Sequence, residues 1–140
     1  MIGKLLLLSV GILILSPLKN HNAQDESKII EGNWMIISAE LAGQSLDESL
    51  KDARLILADG RYTFQNDKGE YKLSTSEKPK AMDISGKEGP NQGKTFLAIY
   101  ELTGDTLKIC YDLSGKTRPQ EFSTKAGTRQ FLVNYKRAKE

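Results

Sequence analysis

One cysteine and one histidine are all that 140 residues contain of each, and both scarcities narrow the chemistry. A lone Cys110 excludes an internal disulfide, so the core has to hold the fold, with the thiol packed, tolerated at the surface or paired between chains. The one histidine, His21, falls in an apparent leader, which leaves the rest of the chain without the residue on which most neutral-pH acid–base catalysis and most zinc or copper sites depend. No Asn-X-Ser/Thr sequon is present, and no apolar run reaches the roughly 20 residues that cross a bilayer comfortably. A dominant charge is missing too. The net +2 of the whole chain includes Lys4 and Lys19 of the leader, so the remainder is close to neutral and offers no electrostatic case for nucleic acid or an anionic membrane.

Residues 1–23 have the three-part layout of a secretory signal: Lys4, an apolar stretch from Leu5 to Leu15, Pro17, and a polar segment ending at Ala23. Export to the periplasm or the extracellular space is the expectation, with anchoring by an uncleaved leader as the alternative. No cysteine follows that would mark a lipoprotein. About 117 residues remain, enough for one domain and too few for two. Residues 24–30 read as a loose arm and residues 31–138 as the domain.

From Trp34 onward the apolar positions alternate, with turn residues every eight to twelve positions, the spacing of an antiparallel meander or barrel. The expected strands are Trp34–Leu41, Arg54–Ala58, Arg61–Gln65, Glu70–Thr75, Ala81–Ser85, Thr95–Leu102, Thr106–Leu113, Glu121–Thr124 and Gln130–Arg137. Asp59-Gly60, Asp67-Lys68-Gly69, Thr103-Gly104-Asp105 and Ser114-Gly115 supply turn chemistry between them. The one helical candidate is Ser45–Lys51, capped by Ser45 with Glu48 three residues on. The fold class is therefore all-β, an antiparallel barrel of about eight strands with one short helical turn after the first strand.

Candidate chemistry is sparse. Gly89 to Thr95 imitates a phosphate-binding loop, but the glycine spacing is one residue short and a strand follows where a helix is required. Cys110 would need a base, with only Lys108 and Asp112 on its face of the strand. The carboxylates are scattered, and Glu101 with Arg118 stands out as a possible ion pair at a barrel mouth. No catalytic residue, metal site or cofactor is assigned.

Glu31-Gly32-Asn33-Trp34, Gly60-Arg61-Tyr62-Thr63, Lys78 to Ile84, Glu88-Gly89-Pro90 with Gly93-Lys94-Thr95, Tyr100 to Lys108 and Arg118 to Phe122 together resemble the small secreted lipocalin-like domains abundant in planctomycetes and related bacteria. The resemblance spans nearly all of the region after the leader, in order. It implies a calycin-type barrel and brings no activity with it. In lipocalins a Gly-X-Trp opens the first strand and a basic residue from the last strand packs over the indole. By that resemblance Gly32, Trp34 and Arg137 would close the barrel floor, with Lys136 as the alternative cation.

The functional expectation is a non-enzymatic binding module taking a small, largely apolar ligand into the barrel mouth. Alternation nominates Tyr62, Phe64, Tyr71, Met82, Tyr100 and Tyr111 as lining. The alternative is a filled barrel that contacts another envelope protein through an apolar patch near Phe96 or Leu132.

Overall fold

The computed structural model describes residues 26–139, so the expected leader and residues 24–25 of the arm lie outside it. Nine strands follow in order: β1 (Gly32–Leu41), β2 (Gln44–Ser45), β3 (Arg54–Ala58), β4 (Arg61–Phe64), β5 (Asp67–Ser74), β6 (Ala81–Glu88), β7 (Thr95–Thr103), β8 (Thr106–Asp112) and β9 (Gln130–Arg137). Every pairing is antiparallel, neighbours in sequence pair in turn from β3 to β9, and β1 bridges β3 and β9. The result is a closed eight-stranded barrel, with the two-residue β2 hung on the end of β1. It is an all-β fold that matches a lipocalin-like barrel.

Closure between β1 and β9 contains a bulge. Ile36 pairs with Tyr135 and Ser38 with Asn134, leaving Ile37 extra and exposed. The inserted residue lets Trp34 and Ala39, an odd number of positions apart, both bury their side chains. Elsewhere alternation, shifted once more between β5 and β6 beside Lys68 and Gly69, feeds one interior cluster, from Leu55 and Leu57 through Tyr62, Met82 and Ile84 to Leu107, Ile109, Val133 and Tyr135.

The two ends of the barrel differ. At the floor, Trp34 is fully buried, its Nε1 donates to Ile30 O at 2.9 Å, and the Arg137 guanidinium lies 4.3 Å from the ring centroid. Arg137 also donates to Glu31 O at 2.7 Å and Ile29 O at 2.8 Å. Gly32 has φ +145°, a conformation that side-chain-bearing residues rarely adopt, and a Cβ there would push on the Arg137 guanidinium at 2.7 Å, so glycine is favoured. Residues 26–30 are not the loose arm expected. Residues 26–29 are helical, Ile30 is fully buried, and Glu26 ion-pairs with Lys80 while accepting the Tyr100 hydroxyl at 2.5 Å. Apolar and charged anchors together draw the segment into the floor.

Other departures have local causes. The β4–β5 turn sits at Gln65-Asn66, with Gln65 at φ +57°, so Asp67 to Gly69 belong to β5 instead of the turn. The helix is Asp47–Leu50, two residues later than expected. Ser45 is taken into β2, and the Asp47 carboxylate is turned to the Ala39 N–H at 2.8 Å. Glu121–Thr124 is not a strand, because β8 and β9 pair directly and the eight-stranded ring closes without it.

The residues between β8 and β9, 113–129, instead form a strap across the outside of the sheet. Arg118 reaches Ala98 O at 2.8 Å, Met82 O at 3.3 Å and the Asp83 carboxylate at 2.5 Å. Under it, Ile99 and Cys110 alternate away from the barrel interior and are nevertheless buried. Cys110 Sγ donates to Ser123 O at 3.5 Å, and burial, the main cause, raises the thiol's pKa. That is the environment of a packed thiol.

Candidate functional site

Above the floor the interior is hollow. A cavity of about 230 Å³ opens at the opposite end, where the β4–β5 turn, the β6–β7 loop and the root of the strap meet. Its volume is roughly eight times the share of one water molecule in the liquid. Leu55, Leu57, Met82, Ile84, Phe96 and Leu113 supply aliphatic and aromatic walls.

Of the six lining residues that alternation nominates, Tyr62, Phe64, Tyr71, Met82 and Tyr111 border the cavity. Tyr100 does not: β7 carries it toward the floor, where its hydroxyl is taken by Glu26. Burial, then the hydrogen bond to Glu26 and its charge, raises the Tyr100 pKa. Phe96, expected on an exposed patch, is only 8% exposed and faces inward, and Leu132 is half-buried. Glu101 and Arg118 are not an ion pair. The strap carries Arg118 to Asp83, while Glu101 is exposed and sits across from Lys108 in the β7–β8 ladder.

Sequence reasoning finds the tyrosines of the cavity and passes over its Asp67 and Asn91. Asp67 lines it at 8% exposure. Its Oδ2 accepts the Tyr62 hydroxyl at 3.2 Å and the Asn91 Nδ2 at 2.8 Å, while Oδ1 is buried without a hydrogen-bond partner. Burial, with the adjacent carboxylate charge next, pushes the Tyr62 hydroxyl far above its ordinary pKa, so Tyr62 stays a donor to Asp67. Asn91 is held over Asp67 by loop packing. Gly89 has φ +87°, and a Cβ there would meet Asn66 O at 2.2 Å, so the β6–β7 loop lies directly on the β4–β5 turn. Asp67 was hidden by its neighbourhood of turn-forming residues. The signal that finds it is period two continued backward from Tyr71 through Gly69.

Within the cavity Tyr111 and Tyr135 share a hydroxyl–hydroxyl hydrogen bond of 2.9 Å, and Tyr111 stacks on Phe131 with centroids 5.6 Å apart. Burial raises both pKa values, so these hydroxyls are neutral. The Tyr71 hydroxyl is another buried polar atom without a partner. Burial first, and then the charge of Glu31, raises its pKa. Two exposed cations, Lys94 and Arg129, stand at the rim.

Among the described residues, no group of three or more histidine, cysteine, aspartate or glutamate side chains could hold a metal ion. Nor is any helix among them long and apolar enough to cross a membrane. The chain matches no family model, no curated protein and no solved structure, so its likeness to calycins is one of barrel architecture.

Proposed function

We propose that the protein is an exported, non-enzymatic binding module that takes one small, largely apolar molecule into the open end of its barrel, in the manner of lipocalin-like domains. The observation that carries this reading is the cavity itself: a hollow of about 230 Å³ walled by apolar and aromatic side chains in a barrel of this strand number. An eight-stranded barrel is narrow enough to be filled by its own side chains, so a hollow on this scale is a feature the sequence maintains. Convergent polar groups in an apolar pocket are the usual layout of a small-molecule site. The volume falls below the roughly 300–1,000 Å³ of sites for drug-sized ligands, which sets the occupant's size.

Native mass spectrometry of the protein purified from its own host, before and after denaturing extraction and refolding, tests this. A discrete additional mass, lost on extraction, is the expected result. The bare protein mass in both preparations counts against a resident ligand.

A second reading, contact with another envelope protein, draws on the outer face of β1 and β3. There Met35, Ile37 and Ile56 are 40%, 57% and 43% exposed. Charge substitution at Ile37 and Ile56 that abolishes a cross-link formed in the host would favour it, and an unchanged cross-linking pattern would remove it.

A further inference from the structure

The apolar walls explain why a small molecule would enter, and the charges at the opening narrow which molecule. Lys94 and Arg129 border the cavity from two separate elements, and both are exposed. Their backbones are fixed there. Lys94 closes the β6–β7 loop, its N–H donating to Asn91 O at 3.0 Å and its carbonyl accepting the Gly86 N–H at 2.9 Å, and the Arg129 carbonyl accepts the Leu113 N–H at 2.9 Å where the strap joins the barrel. Different parts of the fold thus place two cations beside one opening.

No ion pair reaches either of them among the described residues. Asp67, the one acidic side chain in the lining, has no oxygen to offer, because Oδ2 is taken by Tyr62 and Asn91 and Oδ1 is buried out of reach. A surface lysine or arginine ordinarily needs no partner but water; what distinguishes this pair is its position. A charged group is costly to bury among apolar walls, so a ligand whose body fills the cavity leaves its charged end at the lip, where the cations stand. Both side chains are donors only. An anionic head there is attracted by the two of them, and an ammonium head is repelled by both.

We propose that the occupant is a small apolar acid, bound with its hydrocarbon body inside the barrel and its anionic head at the lip beside Lys94 and Arg129. This rests on the reading of the cavity as a ligand site. Lys94 and Arg129 select the sign of the head and so the direction in which the ligand lies, and the walls select the size of its body.

Octanoate, octanol and octylamine share one body and differ in the charge of the head. Titrated calorimetrically at low ionic strength into the protein purified from its host and freed of bound material, octanoate is expected to bind about 3- to 30-fold more tightly than octanol, the range that two exposed ion pairs supply, with octylamine weakest. The acid's advantage should shrink as salt is raised from about 0.01 M to about 0.15 M, since both cations are exposed. With Lys94→Gln and Arg129→Gln combined, octanol should bind as before and octanoate no more tightly than octanol. Octanoate no tighter than octanol or octylamine in the unaltered protein, or an acid preference that survives the double substitution, overturns the assignment while the cavity stands as a site. If none of the three binds, the ligand-site reading fails and this inference falls with it. The three-probe comparison on the unaltered protein needs no variant to fold.

Discussion

A single carboxylate organises the root of the strap. Asp112 is buried at the end of β8 and accepts from the Ser114 hydroxyl at 2.7 and 2.8 Å, and from the backbone N–H groups of Ser114, Lys116 and Thr117 at 3.1, 3.1 and 2.8 Å. Burial on its own would raise the Asp112 pKa, but those donors, Thr117 foremost, hold it below the ordinary carboxylate value. A folded-state pKa depressed in this way contributes stability that is fully present above the unfolded value of about 3.9 and is lost as pH falls through the folded value. Asp112→Asn should therefore cost about 1–3 kcal/mol at neutral pH and lose less further stability than the parent on acidification below about pH 4. Urea denaturation over that pH range would show the two curves converging, and parallel curves would contradict the assignment. Trp34→Ala should destabilise by about 3–5 kcal/mol, because it empties the floor, leaves Ile30 O without its donor and removes the ring beneath the Arg137 guanidinium. Unchanged urea stability would mean the floor is sealed by other residues. At this scale Trp34 was legible because a unique large ring after Gly32-Asn33 has few structural uses. Asp67 was not, since an aspartate between asparagine and lysine just before a glycine carries turn propensity, and only three-dimensional burial reveals that it points inward.

Among the elements, the hairpins were the most readable. Asp59-Gly60 takes positive φ at both positions, and Gly104 does so between β7 and β8, so turn chemistry located the strands on either side. The strap was the least readable. Glu121 to Thr124 looks strand-like locally, yet it lies over Cys110, whose thiol meets Ser123 O, a tertiary relation with no periodic signature. Lys108 Nζ, 5.3 Å above the Phe122 ring, adds to the cover. A buried thiol reports on this cover directly. In the native protein Cys110 should resist alkylation, and Arg118→Ala, which removes the hold on Ala98 O and Asp83, should speed its modification about fivefold by easing local opening. Mass-spectrometric alkylation time courses measure this. Equal rates would show that the strap is held elsewhere, with Asp112 the first place to look.

For the whole molecule, alternation settled which side chains face inward, but whether those facing one another meet depends on the register of strands far apart in sequence. That is why alternation groups Tyr100 with the lining although β7 places it at the floor, and why the hollow has no signature in the sequence. A hollow that takes a ligand couples occupancy to the folding equilibrium. At a hundredfold excess over Kd, binding adds about 2.7 kcal/mol to stability. Protein melted as purified from its host should accordingly unfold at a higher temperature than the same protein after extraction and refolding, in differential scanning calorimetry. Identical melting temperatures would speak against bound cargo.

Both ends of the described chain leave from the sealed side of the barrel. Glu26 is tied down beside Tyr100, and the Ala138 N–H donates to Asn33 O at 2.8 Å, while Asp67 and Asn91 lie at the far opening. The barrel is thus a cup carried by its base. A linkage joined directly to the described chain, just before Glu26 or just after Ala138, meets the barrel at its sealed side, so whatever it carries is attached away from the lip.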